Sequence, residues 1–219
     1  MIEHQGVWLP DGETHLTNWM TTSGEIVDGK GTYQIKKLRA AVAHCENLRT
    51  AVDVGAHCGM WSMQLRKQFN YVHAFEPVAA HRECFMRNVP NAEQDAMQNV
   101  TLHPCALGAH EGRISIVTEP TSSGDSRVGG NGDIPMITLD SLNLKDVDFM
   151  KIDCEGYELY VLAGAVDMLH RCRPVVIVEQ KKGHAQQYGL RETQAVEWLR
   201  ERSYEQVREM SGDFIMVHK

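Results

Sequence analysis

The stretch Ala51-Val-Asp-Val-Gly-Ala-His-Cys-Gly59, followed by Tyr71-Val-His-Ala-Phe-Glu-Pro77, decides the fold of this chain. It is typical of a buried strand, a glycine-rich turn, a helix and a second strand that ends in an acidic residue. Gly55 and Gly59 stand where the chain must turn sharply, and a side chain there would obstruct the approach of a ligand to the backbone. Glu76 can accept hydrogen bonds from a ribose diol. The pattern predicts a site for an adenosine-containing cofactor.

A nicotinamide dinucleotide is the first alternative cofactor. Its binding turn usually reads Gly-x-Gly-x-x-Gly, whereas this turn has His57 where the second glycine would let a pyrophosphate approach. The spacing therefore disfavours a dinucleotide. Tyr33 and Lys37 match the Tyr-x-x-x-Lys spacing of a dehydrogenase pair, but they precede the glycine-rich turn. We interpret them as residues on one face of a helix.

The overall composition limits the possible partners. A chain of 219 residues suits one α/β domain with a substantial core. The formal net charge of -7 argues against a surface that neutralises the phosphates of nucleic acid. No secretion signal or apolar segment of membrane-spanning length is evident, so we expect a cytoplasmic protein with no membrane partner. The six cysteines form no Cys-x-x-Cys pair and are expected to be free thiols.

Hydrophobic periodicity predicts most of the elements. Residues 1–30 show no clear period and are expected to form an irregular N-terminal arm, which leaves 31–219 as a single domain. Apolar residues at three- and four-residue steps predict a helix over about 33–45. Apolar runs then alternate with helical segments, which is typical of a mostly parallel sheet. The expected strands are 51–54, 71–75, 100–103, 147–152 and 174–179, and the expected helices lie near 60–68, 79–89, 156–171 and 192–202.

Two further features interrupt this alternation. The segment 121–132 is polar and rich in glycine, so we expect a mobile loop that could cover an active site. Strand-like runs flank it at 113–118 and 134–139. Runs at 204–208 and 213–218 lie close together in sequence and predict an antiparallel hairpin that closes the sheet.

Four blocks of the sequence resemble the FkbM-type S-adenosylmethionine-dependent methyltransferases. They follow the family's order over about residues 50–180 and read Val52-Asp-Val-Gly-Ala-His-Cys-Gly-Met-Trp-Ser62, Ala74-Phe-Glu-Pro77, Cys105-Ala-Leu-Gly108, and Phe149-Met-Lys-Ile-Asp-Cys-Glu-Gly-Tyr-Glu158 with Arg173-Pro-Val-Val-Ile-Val-Glu179. The resemblance implies an α/β fold with a Rossmann-like, seven-stranded, mostly parallel sheet, an antiparallel last strand and helices on both faces. It also implies methyl transfer from S-adenosylmethionine, usually to a hydroxyl oxygen, with S-adenosylhomocysteine as the product.

The resemblance also implies which residues contact the cofactor. The glycine-rich turn would line its methionine end, Glu76 its ribose and residues 105–107 its adenine, with Asp153 beside the methyl group. The full expected set is Asp53, Gly55, Ala56, His57, Gly59, Glu76, Pro77, Cys105, Ala106, Leu107 and Asp153. The chain departs from the family at His57, where Asn is common, and at Cys154, where Val is usual. An exposed His57 would be partly protonated near neutral pH.

Four residues are candidates for the chemistry of methyl transfer. Because a sulfonium already activates its methyl group, the protein mainly has to align an acceptor oxygen and remove its proton. Asp153 is expected to be the base or to orient the substrate, with Glu155 in support, although both could instead cap the helix that follows. Glu179 and His184 could also reach the substrate, because ligands of open α/β sheets bind beyond the carboxyl ends of the strands.

No metal is expected from the sequence. The histidines and cysteines do not form paired motifs at zinc-finger intervals. Asp140, Asp153 and Glu155 could gather Mg²⁺, but three acids spread over a sheet edge are a weak indication.

The predicted function is O-methylation of a hydroxyl on a sugar, glycan or small secondary metabolite. A nucleic-acid methyltransferase is one alternative, but an amino-directed enzyme usually carries an Asn/Asp-Pro-Pro-Tyr/Phe motif and this chain has no Pro-Pro. A non-catalytic module that binds S-adenosylmethionine is another, disfavoured because Asp53, Glu76 and Asp153 occur together. The sequence leaves the oligomeric state open.

Overall fold

The computed structural model of the protein describes residues 1–90, 99–119 and 122–219. Its helices are α1 (His15–Thr22), α2 (Ile35–Val42), α3 (Ser62–Leu65), α4 (Ala79–Asn88), α5 (Glu158–Ala163), α6 (Val166–Cys172) and α7 (Gln194–Arg200). Its strands are β1 (Ile2–His4), β2 (Val7–Leu9), β3 (Ile26–Val27), β4 (Lys30–Gly31), β5 (Thr50–Val54), β6 (Tyr71–Phe75), β7 (Val100–His103), β8 (Ala106–Leu107), β9 (Gly112–Ile114), β10 (Ile116–Val117), β11 (Arg127–Val128), β12 (Ile134–Ile137), β13 (Val147–Ile152), β14 (Val175–Glu179), β15 (Tyr204–Met210) and β16 (Asp213–His218).

A seven-stranded sheet forms the centre of the molecule, in the order β15-β16-β14-β13-β5-β6-β7. Strands β7, β6, β5, β13 and β14 are parallel, whereas β16 runs antiparallel to both β14 and β15. This confirms the predicted α/β sheet and its antiparallel C-terminal strand. The strand order reverses between β5 and β13, so the carboxyl ends of these strands border a crevice where α/β proteins bind ligands.

The parallel strands are apolar because both faces of the sheet are covered. Successive residues of a strand point to opposite faces, and in β13 Phe149 packs in one core with α1 and α2, while Met150 packs in a second core with α5, α6 and α7. Burial of one such side chain contributes about 1.5–3 kcal/mol. This two-sided burial explains why the strands read as continuous apolar runs.

Residues 1–30 differ from the irregular arm that the sequence predicted. They form the β1–β2 hairpin, helix α1 and the β3–β4 hairpin. Leu9 and Met20 are buried in the same core as the sheet, and the backbone N–H of Trp8 donates to the side-chain oxygen of Asn88 on α4 at 2.8 Å. Elements of two to eight residues are too short to show a clear period, which is why the sequence did not indicate them.

Two other segments also differ from their expected form. The predicted helix 156–171 is divided into α5 and α6 at Gly164, where a Cβ would lie 2.0 Å from the carbonyl oxygen of Gly108. The first residue of the expected loop 121–132 lies outside the described residues. The rest of that segment contains a 3-10 turn at Ser123–Asp125 and strand β11, which pairs with β10. The six cysteines are free thiols, and none of the described helices is long and apolar enough to cross a membrane.

Candidate functional site

A cleft lies at the carboxyl ends of β5, β6 and β13, where the strand order reverses. The turns after these strands form its floor, and α1, residue 33 and the segment 122–126 complete its walls. Ten of the predicted site residues line it: Gly55, Ala56, His57, Glu76, Pro77, Cys105, Ala106, Leu107, Asp153 and Glu155. Asp53, Gly59, Glu179 and His184 are not among the residues that line it.

The glycine-rich turn after β5 requires its glycines for packing as well as for conformation. Gly55 has φ +73, and a Cβ there would lie 1.9 Å from the carbonyl oxygen of Asp153. Gly59 has φ +82, and a Cβ there would lie 2.7 Å from the Phe85 ring. The N–H groups of Gly55 and Ala56 both donate to the carbonyl oxygen of Phe75, at 3.1 and 3.0 Å. The turn is therefore held against the ends of β6 and β13.

Asp53 and Lys151 form a buried pair beneath the turn. They are cross-strand neighbours of β5 and β13, with Lys151 Nζ 3.4 Å from Asp53 Oδ1. Asp53 also accepts a hydrogen bond from the Ser62 hydroxyl at 2.7 Å, and Lys151 donates to the carbonyl oxygen of Gly55 at 2.9 Å. Burial alone would lower the pKa of Lys151, but Asp53 and Asp153 raise it above its ordinary value. Asp53 thus helps to hold the turn in place through its ion pair with Lys151.

Glu76 is 4% exposed and strongly hydrogen-bonded. Its Oε2 accepts from the backbone N–H of His57 at 2.8 Å, and its Oε1 accepts from that of Val78 at 2.8 Å and lies 3.2 Å from Nδ1 of His81. Burial favours the neutral acid, but the hydrogen bond and charge of His81 hold the pKa of Glu76 below its usual value. Because a carboxylate offers about four acceptor sites, one site on Oε2 remains for a ligand hydroxyl.

A chain of polar contacts connects this carboxylate to the N-terminal region. The Nε2 atom of His57 lies 2.8 Å from the Ser123 hydroxyl. Glu13 accepts hydrogen bonds from the backbone N–H of Ser123 at 2.7 Å, from the same hydroxyl, and from the N–H of Leu16 at 2.8 Å. Glu13 and Ser123 were missed in the sequence because they are 110 residues apart in segments without periodicity. They close the cleft on one side.

The surroundings of His57 favour the neutral imidazole. Burial, together with the adjacent His81, lowers the pKa of His57 to about 3. The two rings lie 4.1 Å apart between centroids. The ring is half-buried between Ser123 and His81, so the exposure on which the expected partial charge depended is not met.

Asp153 and Glu155 occupy the opposite side of the cleft. Asp153 Oδ2 lies 3.6 Å from Nζ of Lys151, and its side chain is partly exposed to the cleft. Burial opposes ionisation of Asp153, but Lys151 and Lys181 lower its pKa below the usual value. The backbone N–H groups of Cys154 and Gly156 donate to Glu158 at 3.1 and 2.9 Å. Glu158 therefore holds the turn before α5, and the N-terminus of α5 has no side-chain cap from Asp153 or Glu155.

Glu155, Glu179 and His184 lie together next to Asp153. Glu155 Oε2 is 2.6 Å from Nδ1 of His184, and Glu179 Oε1 is 2.6 Å from Nζ of Lys181. Burial and the charge of Asp153 raise the pKa of Glu155 to about 8 and that of Glu179 to about 10. The structure thus brings all four candidate catalytic residues to one end of the cleft, although only Asp153 and Glu155 line it.

A family comparison matches most of the chain. Residues 53–206 match the methyltransferase FkbM domain. Methyltransferase 1 of Beauveria bassiana (strain ARSEF 2860) is 26% identical, and the alignment covers 53% of this chain and 58% of that protein.

Solved structures share the fold. Methyltransferase FkbM from Methylobacillus flagellatus KT has a TM-score of 0.50 and 19% identity, over 77% of this chain and 42% of that one. Magnesium protoporphyrin IX methyltransferase from Synechocystis PCC 6803, with S-adenosylmethionine bound, has a TM-score of 0.50 and 12% identity, over 84% of this chain and 77% of that one. The chain therefore spans about half the length of the Beauveria and Methylobacillus relatives.

Proposed function

Since the chain belongs to the methyltransferase FkbM domain family, we propose that it transfers a methyl group from S-adenosylmethionine to a hydroxyl of a sugar, glycan or small secondary metabolite. The proposal rests on one observation: Glu76 and Asp153 face a single cleft from either side of the glycine-rich turn. A cytoplasmic location, as expected from the sequence, is part of the proposal.

The residues of the cleft fit this cofactor. The free acceptor site on Glu76 Oε2 suits a ribose hydroxyl. The expected bonds to both hydroxyls would require His81 to release Oε1, because His81 and Val78 already occupy that atom. Residues 105–107 are buried and largely apolar, which suits the faces of an adenine ring. When bound, S-adenosylmethionine supplies an activated methyl group.

Asp153 is the best-placed group to handle the acceptor hydroxyl. Its carboxylate reaches the cleft, and Lys151 lies 3.6 Å away on the sheet side. A carboxylate held in this way can accept the hydrogen bond of a hydroxyl, orient its oxygen and take up its proton. Lys151 also donates a hydrogen bond to the carbonyl oxygen of Gly55 in the glycine-rich turn. The same ammonium group therefore helps to position both Asp153 and the turn.

The acceptor would enter beside the N-terminal region. His15, Leu16 and Tyr33 line the cleft together with the segment 122–126. Burial and the charge of Asp153 raise the pKa of Tyr33 above its usual value, so its hydroxyl stays protonated and can donate a hydrogen bond. This mixed polar and apolar wall suits a small hydroxylated acceptor. The same wall limits access of water to the reacting groups.

Calorimetric titration with S-adenosylmethionine, S-adenosylhomocysteine and NAD tests the cofactor assignment. We expect saturable binding of the first two ligands and none of NAD. Binding of NAD, or no binding to folded protein, would contradict the proposal.

Acceptor screening then tests the catalytic role of Asp153. Asp153→Asn should lower turnover at least about 100-fold while S-adenosylmethionine affinity stays within a few-fold. Asp167→Asn, at an exposed position of α6, serves as the control. Cofactor binding without turnover of any hydroxylated acceptor would favour a non-catalytic module.

A further inference from the structure

Glu155, Glu179 and His184 form a cluster of potential metal ligands at one end of the cleft. One donor atom from each side chain lies within 4.8 Å of the other two. Cations bound at about 2.1 Å hold their ligand atoms about 3–4.2 Å apart. Adjustments of about 1 Å in the side chains would bring these atoms into one coordination sphere.

Glu179 provides an independent indication of a cation site. Its side chain is 2% exposed, and its Oε2 has no hydrogen-bond partner within the part of the chain that the structure describes. Lys181 Nζ approaches Oε1 at 2.6 Å, but the Lys181 side chain is 39% exposed. A buried carboxylate without hydrogen bonds is costly unless a positive charge compensates it. Glu179 contributes a carboxylate oxygen to the same cluster of donor atoms.

The backbone holds the ligand-bearing segments against each other. Gly156 has φ +102, and a Cβ there would lie 2.4 Å from the carbonyl carbon of His184. The preceding residue, Glu155, has φ 53, and its carbonyl oxygen accepts a hydrogen bond from the Gln187 side chain at 2.9 Å. The positions of Glu155 and His184 are therefore set by tight packing between the two segments.

The charges around the cluster favour a divalent ion. The ion pairs at this end of the sheet involve more carboxylates than ammonium groups: Asp53, Asp153, Glu155, Glu179 and Asp213 against Lys37, Lys151 and Lys181. Cation binding requires Glu155 and Glu179 to be ionised. The set then has an excess of two negative charges, which one divalent cation would balance.

We propose that Glu155, Glu179 and His184 bind a divalent first-row cation of the Mn²⁺ or Zn²⁺ type. Imidazole suits such ions and carboxylates suit Mn²⁺, so the donor set matches this class. The proposal replaces the expectation of no metal that the sequence had supported. Only Glu155 also lines the cleft, so binding does not depend on the proposed methyl transfer and needs no S-adenosylmethionine.

Mn²⁺ titration of chelator-treated protein tests the site directly. Binding is measured by the loss of the electron paramagnetic resonance signal of free Mn²⁺. An imidazole ligand is detected by the modulation that its nitrogen nucleus causes in the electron spin echo of bound Mn²⁺. We expect one saturable site with nitrogen modulation. His184→Gln should abolish the modulation and weaken binding at least about tenfold, whereas His44→Gln, at an exposed histidine outside the cluster, should leave both unchanged.

Two further variants keep the test decisive. Glu179→Gln should also weaken Mn²⁺ binding at least about tenfold, with folding checked by circular dichroism. Lys181→Gln should strengthen binding, because the competing ammonium group is removed. The proposal is overturned if the folded wild-type protein binds no Mn²⁺, if His184→Gln and His44→Gln bind equally, or if only Lys181→Gln binds, since Lys181 would then be the cation of this site.

Discussion

Glu76 and Glu179 are two buried glutamates at the carboxyl ends of parallel strands, with opposite surroundings. Glu76, after β6, accepts hydrogen bonds from two backbone N–H groups and contacts His81. Glu179, at the end of β14, forms an ion pair with Lys181 but accepts no backbone hydrogen bond from the described residues. The pKa of Glu76 is lowered and that of Glu179 is raised to about 10. A strand end can thus position a carboxylate, but the adjoining turn decides whether N–H groups point at it.

The largest expected effect concerns the turn that serves Glu76. Gly55→Ala should destabilise the protein by about 3 kcal/mol or more, because it combines a left-handed backbone with a Cβ in contact with the Asp153 carbonyl. Gly183, on the Glu179 side, has φ +89 and open space around it, so Gly183→Ala should cost only about 1–2 kcal/mol. Urea unfolding measures both; equal losses would contradict the close packing of the turn.

Exchanging each glutamate for glutamine tests the comparison itself. Glu76→Gln should cost about 1–3 kcal/mol, because an amide NH₂ would face a backbone N–H that now has an acceptor. Glu179→Gln should change the free energy of unfolding by less than about 1 kcal/mol, because it removes no backbone hydrogen bond and water can hydrate the partly exposed Lys181 ammonium group in place of the ion pair.

Urea unfolding of the metal-free proteins measures both changes. Glu83→Gln, at an exposed position of α4, serves as the control. A larger loss for Glu179→Gln than for Glu76→Gln would reverse the comparison.

The contact between Ser123 and His57 extends the hydrogen-bond network of Glu76 to the 122–126 segment. Ser123→Ala removes the hydroxyl shared by Glu13 and His57 and should lower stability by about 1 kcal/mol. The affinity for S-adenosylmethionine should fall less than tenfold, because the Glu76 contacts remain. Ser141→Ala, outside the cleft, is the matched control. If the free energy of unfolding is unchanged, the 122–126 segment does not contribute to stability through the hydrogen-bond network of Glu76.

The smallest effect is a difference in acid stability. Because the folded pKa of Glu76 lies below the ordinary value of 4.5, its ionised form stabilises the fold above that value, and this contribution is lost as the pH falls through the folded pKa. The ionisable side chains that act on this carboxylate are His81 and His57, whereas Arg82 donates to the backbone carbonyl oxygen of Glu76. Glu76→Gln should therefore show a flatter decline in unfolding free energy below about pH 5 than Glu83→Gln. Parallel curves would exclude Glu76 as a source of acid sensitivity.

Much of the fold could be predicted because its signals are local. The apolar runs of β5, β6, β13 and β14 and the glycine-rich turn are contiguous in sequence. The division between α5 and α6 could not be predicted, since it depends on contact between Gly164 and the distant Gly108. The elements of residues 1–30 are stabilised by burial against the sheet. The domain boundary at residue 31 stays a prediction.

The candidate site follows the same division. Glu76 and Asp153 could be located because each directly follows a predicted strand. Glu13 and Ser123 could not, because their importance arises from a contact between segments 110 residues apart. The individual roles proposed for these residues stay predictions.

The sequence by itself determined the order of strands and helices, the glycine-rich turn and the acids at the strand ends, because these depend on side-chain periodicity and backbone freedom. The tertiary structure alone decided which of those acids are hydrogen-bonded and which are not. Burial and partners depend on segments that are distant in the chain, so two glutamates with the same position in the pattern acquire opposite electrostatic character.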